Sequence, residues 1–272
     1  IAAATRSTVF LQGAWGFVDP RTAQPLRILV GPNGAPVLGP NGEPQLTTDE
    51  RAPVMEALFT GTAFAVSDEG LFLSNRHIAQ PWVFDEAARR VAADGWVPVM
   101  RRMIAYVPGM PDSVPLALVA VSDSADLALF RASGPVRTLP TLPLARVAAQ
   151  PGEEVIVLGY PLGIRALMAR ADAAFLADLR QQGNVDFWAL GARLARTGQI
   201  APLASRGIVS QVNREAVVYD AETTQGGSGG PVLSMRGEVL AITSAILPEF
   251  GGSNLGVPVA RARGLMEELA DR

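Results

Sequence analysis

The sequence predicts an all-β chain of sandwich or barrel architecture. From Val54 onward, short apolar runs of strand length succeed one another at regular spacing. The 27 glycines and 21 prolines supply the turns between them. Helical periodicity is confined to an internal stretch and the last few residues, and 49% hydrophobic residues suffice for a large core.

Taken in order, residues 1–53 read as an N-terminal extension with short hairpins. In it, Leu26–Val30 and Pro36–Leu38 flank the turn Gly31-Pro32-Asn33-Gly34, and Pro40-Asn41-Gly42 marks another turn. A first set of strands follows at Ala57–Val66, Leu71–Ser74, Val97–Val107, Val114–Val121 and Leu127–Phe130. A second set comprises Glu154–Gly159, Gly207–Val212, Ala216–Tyr219, Pro231–Leu233, Val239–Ile246 and Gly256–Val259. Between them, Ile164 to Gln182 and Val185 to Arg196 repeat apolar residues at helical spacing, predicting a helical hairpin inserted at 164–204 and joined through Gly183 and Asn184. Its apolar stripe, including Leu167, Phe175, Leu179, Phe187 and Leu194, has to bury against something, and the expected place is the barrel surface beside the active-site cleft. Ala260 to Leu269 reads as a closing helix.

Absences narrow the chemistry. The chain has one histidine, no cysteine and no lysine, all 23 basic residues being arginine. One histidine without cysteine cannot build a histidine–cysteine zinc site, and without lysine there is no Schiff base, serine–lysine dyad or Walker-type phosphate loop. No metal or organic cofactor is expected. A formal charge of −3 and 6% aromatic residues give no reason to bind nucleic acid. No apolar run reaches the roughly 18 residues of a membrane span. The chain begins at Ile1 without an initiator methionine, so a segment is expected to have preceded it, and a membrane anchor there is one form it could take.

What remains is one histidine acting as the base for one serine, with a carboxylate to orient it. Ser228 lies in GGSGG, where flanking glycines permit a sharp bend and close approach of a substrate carbonyl. That segment also fits the nucleophile elbow of α/β-hydrolases, which requires a histidine after the serine; none follows Ser228. A subtilisin order would need Asp19, Asp49 or Asp68, none of which opens an apolar strand. The order His77, aspartate, Ser228 is that of chymotrypsin-like enzymes. Asp126 opens the run SADLALF, with Asp123 as its competitor. In the serine-protease template, backbone N–H groups of the serine and of the residue two before it hold the oxyanion; here these are Ser228 and Gly226.

Residues from about 57 to 270 resemble a chymotrypsin-fold (trypsin-like) serine protease, closest to the HtrA/Deg type. The resemblance rests on GTAFAVSDEGLFLSNRHIA, SADLALF, EEVIVLGYPLG, RGIVSQV, YDAETTQGGSGGPV, GEVLAITSAIL and GGSNLGVPVA. It implies two six-stranded antiparallel β-barrels, at 54–140 and 141–272, the second carrying the helical insertion and the closing helix. It also implies His77 as general base, Asp126 as its orienter and Ser228 as nucleophile. Val212, Thr223 and Ile246 would line a shallow apolar S1 pocket, and Thr243, Ser244, Ala245 and Ile246 would form the substrate-pairing strand. Glu222 falls by count where trypsin-like enzymes keep an acid for basic side chains. Gly227 stands where chymotrypsin carries the aspartate that pairs with a new N-terminus, so Ile1 does not signal zymogen activation. No PDZ module is expected after the closing helix. The insertion lies near a loop that takes part in activation in HtrA proteins.

The expected activity is serine endopeptidase on unfolded or exposed protein segments, in a bacterial, extracytoplasmic (periplasmic or secreted) setting. The rival expectations are a catalytically impaired protease-like binding or scaffold protein and an esterase using the same triad.

Overall fold

The computed structural model describes residues 1–272 except 41, 135, 137, 138, 184, 224, 225, 248–252, 271 and 272, and leaves out the side chains of 182 and 245–247. Strands and helices are numbered in chain order.

Two closed six-stranded barrels make up the fold. The first runs in the order β1 (Thr8–Val18), β4 (Ala57–Ala65), β5 (Leu71–Ser74), β8 (Ala128–Ala132), β7 (Val114–Val121) and β6 (Val97–Tyr106). The second runs β10 (Leu203–Val212), β11 (Val217–Tyr219), β14 (Ser253–Pro258), β13 (Val239–Leu247), β12 (Pro231–Ser234) and β9 (Glu154–Gly159). One hydrophobic cluster contains residues of both barrels, from Phe64, Leu73 and Leu129 to Val157, Val232 and Ile242.

The first strand corrects the expectation that residues 1–53 are an extension. Thr8–Val18 is a barrel strand, and its first ten residues are all buried. A strand covered on both faces has no reason to alternate apolar and polar residues, so the period-2 signal was missing. Gly13 interrupts the apolar run for a steric reason: a Cβ there would lie 2.1 Å from the Phe59 ring.

The chain divides into two compact units. The larger contains Ile1–Gln12, Thr60–Ala79 and Met103–Arg272. The smaller, Gly13–Phe59 with Gln80–Arg102, has its own core of Trp15, Phe17, Leu26 and Ala88, with Trp82, Trp96 and Met100 packed on it. It carries the two-stranded sheet of β2 (Arg27–Ile28) and β3 (Leu46–Thr47) and the helix α3 (Glu86–Ala93). Asp85 caps that helix by accepting from the Ala88 N–H at 3.0 Å. This capping signal lay in the sequence within a stretch that shows no strand.

The insertion contains three helices: α4 (Ile164–Arg170), α5 (Ala173–Gln182) and α6 (Phe187–Arg196). Helical spacing runs unbroken from 164 to 182, but Asp172 accepts from the Phe175 N–H at 2.7 Å and starts a new helix there. Leu167, Phe175 and Leu194 are buried in one cluster with Phe10 of β1, Ile104 and Tyr106 of β6, and Tyr160. The Tyr160 hydroxyl donates to the Thr8 carbonyl at 3.0 Å, and burial pushes its pKa up, keeping it a neutral donor. The stripe is therefore part of the core of the larger unit. The closing helix α7 spans Val259–Ala270, and no described helix is long and apolar enough to cross a membrane.

Candidate active site

Barrel register brings the first two residues together. In the β5–β8 pair, Ser74 lies opposite Ala128 and Leu73 opposite Leu129. The chain leaving β5 therefore emerges beside the chain entering β8. His77 sits on the short helix α2 (Arg76–Ala79) just past Ser74, and Asp126 lies just before Ala128. The Asp126 carboxylate holds this histidine twice, with Oδ2 2.8 Å from the ring Nδ1 and Oδ1 accepting the His77 backbone N–H at 3.0 Å. Asn75, fully buried, donates from Nδ2 to the Asp126 carbonyl at 2.8 Å and fixes its main chain. Asp123 makes no such contact with His77 among the described hydrogen bonds.

Burial alone would push the Asp126 carboxyl up. The His77 ring, the Ser244 hydroxyl and the His77 backbone N–H outweigh it and hold the pKa below the usual aspartate value. Asp126 is thus a carboxylate near neutral pH. An anion on Nδ1 keeps the proton on that nitrogen and leaves Nε2 as the basic lone pair.

Ser228 is carried by the segment between β11 and β12, which Thr62 of β4 clamps. The fully buried Thr62 hydroxyl donates to the Gly226 carbonyl at 2.7 Å and accepts the Tyr160 N–H at 3.0 Å. The Thr62 N–H donates to the Ser228 carbonyl at 3.0 Å. Two glycines are obligatory here. Gly226 has φ +95°, and a Cβ on it would lie 2.6 Å from the Tyr160 carbonyl oxygen. Gly229 has φ +85°, and its Cβ would lie 2.1 Å from the Thr62 carbonyl oxygen. The N–H groups of Gly226 and Ser228 donate to no acceptor among the described residues.

Ser244 joins the two halves. The β13–β14 register jumps between Thr243 and Ala245, so Ser244 is the extra residue of a β-bulge, which re-aims its side chain. Its hydroxyl donates to Asp126 Oδ2, and its carbonyl accepts the Ser228 hydroxyl at 3.3 Å. The expected substrate-strand residue therefore also supports the carboxylate. Neither this role nor that of Thr62 was read from sequence, because a bulge and a contact between barrels leave no periodic trace.

Other expected binding residues are placed differently. Thr243 is 2% exposed and cannot line an open cleft. Its hydroxyl accepts from Tyr219 at 2.9 Å, and its backbone pairs with Gly229 and Gly230. Thr223 and Glu222 line a cavity of about 320 Å³ with Pro161, Leu162, Leu203 and Ser205. This cavity is walled by β9 and β10, and neither Ser228 nor Ser244 lines it. Val212 does not line this cavity. It pairs with Val217 at the far end of β10 from Leu203. At about 3.3 Å per residue, the nine steps between them span roughly 30 Å. The side chains of Ala245 and Ile246 lie outside the described residues.

Comparisons with known proteins bear on the family and the fold. Residues 61–242 match the family model of the trypsin-like peptidase domain, and the chain belongs to that family. It is 25% identical over 217 residues to the zebrafish (Danio rerio) serine protease HTRA1B, covering 79% of this chain and 36% of that protein. It is 24% identical over 213 residues to the putative serine protease HhoA of Synechocystis, covering 77% and 43% respectively. The chain thus spans well under half the length of these relatives. In fold it is similar to the Rv3671c protease from M. tuberculosis in its active form, with a TM-score of 0.56 at 16% identity over 98% of this chain and 82% of that one. A structure of an HtrA-type protease with a decapeptide matches with a TM-score of 0.60 at 17% identity, over 100% and 65%.

Proposed function

We propose that this chain is a serine endopeptidase in which His77, Asp126 and Ser228 form the catalytic triad. One observation carries the reading: the Asp126 carboxylate grips His77 through both ring and backbone, while Ser244 links that carboxylate to the hydroxyl of Ser228. In the proposed reaction, His77 Nε2 takes the Ser228 proton as Oγ attacks the scissile carbonyl. Asp126 stabilises the imidazolium without itself becoming protonated, and the N–H groups of Gly226 and Ser228 receive the oxyanion. His77 then protonates the leaving amine, and water hydrolyses the acyl-enzyme by the same steps in reverse order.

The substrates are protein or peptide segments able to lie extended along β13 beyond Ser244. The decapeptide-bound HtrA-type structure is the supporting comparison. An aliphatic P1 side chain is favoured over a basic one, because the proposed pocket residues Val212, Thr223 and Ile246 offer no charge partner. A desolvated arginine lacking a carboxylate partner would be costly to bury. The domain division remains a first barrel at 54–140 and a second at 141–272, with Thr8–Val18 now added to the first. We place the site of action outside the cytoplasm of a bacterium. The support is the periplasmic pH-dependent serine endoprotease DegQ of Escherichia coli, 23% identical over 57% of this chain and 29% of its own length.

Hydrolysis of unfolded casein, followed by mass spectrometry of the products, tests the activity. Cleavage should fall mainly after Val, Ala and similar residues and disappear in Ser228→Ala. Cleavage chiefly after Arg, abolished by Glu222→Gln, would replace the aliphatic pocket with a basic-specific one. No cleavage by a folded protein would favour the binding-protein reading.

A further inference from the structure

Four arginines line a second cavity, which shares no lining residue with the one at Thr223. It has a volume of about 660 Å³ and lies where the β10–β11 turn, the 146–149 segment and the first turn of α7 meet. Arg146, Arg214, Arg261 and Arg263 line it, with Glu215 as the one acid, a local charge of +4 − 1 = +3 in a chain whose net charge is −3. Two of these arginines are committed. Arg261 donates to Glu215 at 2.7 Å and to the Ser124 hydroxyl at 3.0 Å, and Arg263 donates to the Ala145 carbonyl. The exposed guanidiniums of Arg146 and Arg214 have no hydrogen-bond or ion-pair partner among the described residues.

Apolar walls alternate with these charges. Val212, Val217, Leu240 and Val259 line the same cavity. The first helical turn adds the partial positive charge of its N–H groups. Guanidinium groups recognise carboxylates through paired, charge-assisted hydrogen bonds. The last residue of a peptide carries its carboxylate and its side chain on the same Cα, so both would reach such an interleaved wall together. A fatty acid instead holds its carboxylate at one end of its apolar body.

We infer that this cavity binds the C-terminal residue of a peptide, with an aliphatic side chain on the apolar wall and its α-carboxylate on Arg146 and Arg214. The site is separate from the triad, and the inference does not depend on catalysis.

The test is a fluorescence-polarisation titration of the full chain carrying Ser228→Ala, so that the probe is not cut. The probe is a fluorescein-labelled pentapeptide, Gly-Gly-Ala-Val-Val, with either a free carboxylate or an amide at its end. The acid should bind at least tenfold more tightly than the amide. Arg146→Ser with Arg214→Ser should remove that ratio while leaving the melting temperature unchanged. Arg206→Ser, on an exposed arginine paired with Glu154 elsewhere on β10, should preserve it. Equal binding of acid and amide, survival of the ratio in the double variant, or no binding at all would overturn the inference. Displacement of the probe by octanoate as readily as by unlabelled acid peptide would overturn the peptide assignment. Because nothing is hydrolysed, these outcomes are independent of whether Ser228 proves to be a nucleophile.

Discussion

Replacing Thr62 with valine tests how the first barrel holds the nucleophile segment. The two side chains have nearly the same shape, so the change removes a hydroxyl and leaves the packing in place. That hydroxyl accepts the Tyr160 N–H at 3.0 Å and donates to the Gly226 carbonyl at 2.7 Å. Tyr160 is 1% exposed, so its orphaned N–H has no route to water and costs about 1–3 kcal/mol. Gly226 is half-buried, so its carbonyl can rehydrate, and the loss there is nearer 1 kcal/mol. The sum of about 2–4 kcal/mol leaves a protein of ordinary stability folded, with its melting temperature lowered by roughly 5–10 °C. Removing an oxyanion donor outright costs 10²–10³ in kcat. Loosening the Gly226 peptide should cost part of that, about 10–100-fold in kcat with KM little changed. Thermal melts followed by circular dichroism and peptide hydrolysis measure the two effects. A kcat within twofold of wild type, despite the lower melting temperature, would show that the Thr62–Gly226 bond does not set the oxyanion geometry. An unchanged melting temperature would refute the buried bonding itself.

Ser244→Ala removes a hydrogen bond to the Asp126 carboxylate while keeping the carbonyl that faces Ser228, and should lower kcat/KM about 10–100-fold, given roughly 1.5–3 kcal/mol for such a bond; wild-type kinetics would mean that His77 alone orients the aspartate. Asp126 has a folded pKa below its ordinary 3.8, so its stabilisation is present above that value and is lost as pH falls through the lowered folded value. The stability gap between wild type and Asp126→Asn should therefore shrink as pH falls below about 4, as pH-dependent melts will show; a gap that widens over that range would reverse the sign. Gly191→Ala would place a Cβ 2.2 Å from Gln12 Oε1, a buried side chain already tied to the Phe187 carbonyl at 2.8 Å, so it should destabilise by about 1–3 kcal/mol. A wild-type melt would show that α6 is not clamped at that point.

The reactive residues were legible because they are scarce. A lone histidine, a serine among glycines and an aspartate opening an apolar run have few alternative pairings, and chain order removes most of those. Most strands of the second barrel were legible through their length and turns. Thr8–Val18 was hidden because burial of both faces erased its alternation. Ser244 acquired its second contact from a one-residue bulge, and Thr62 its three from the neighbouring barrel. Both depend on three-dimensional closure, which one-dimensional patterns do not encode.

The most direct measurement is covalent labelling with a fluorophosphonate, read by intact mass and peptide mapping. Wild-type protein should gain a single adduct on Ser228. Ser228→Ala should gain none, and His77→Ala and Asp126→Asn should label more slowly by orders of magnitude while retaining wild-type circular dichroism. A folded wild-type protein that stays unlabelled, or a Ser228→Ala variant that labels at the wild-type rate, would contradict the assignment of Ser228 as an activated nucleophile.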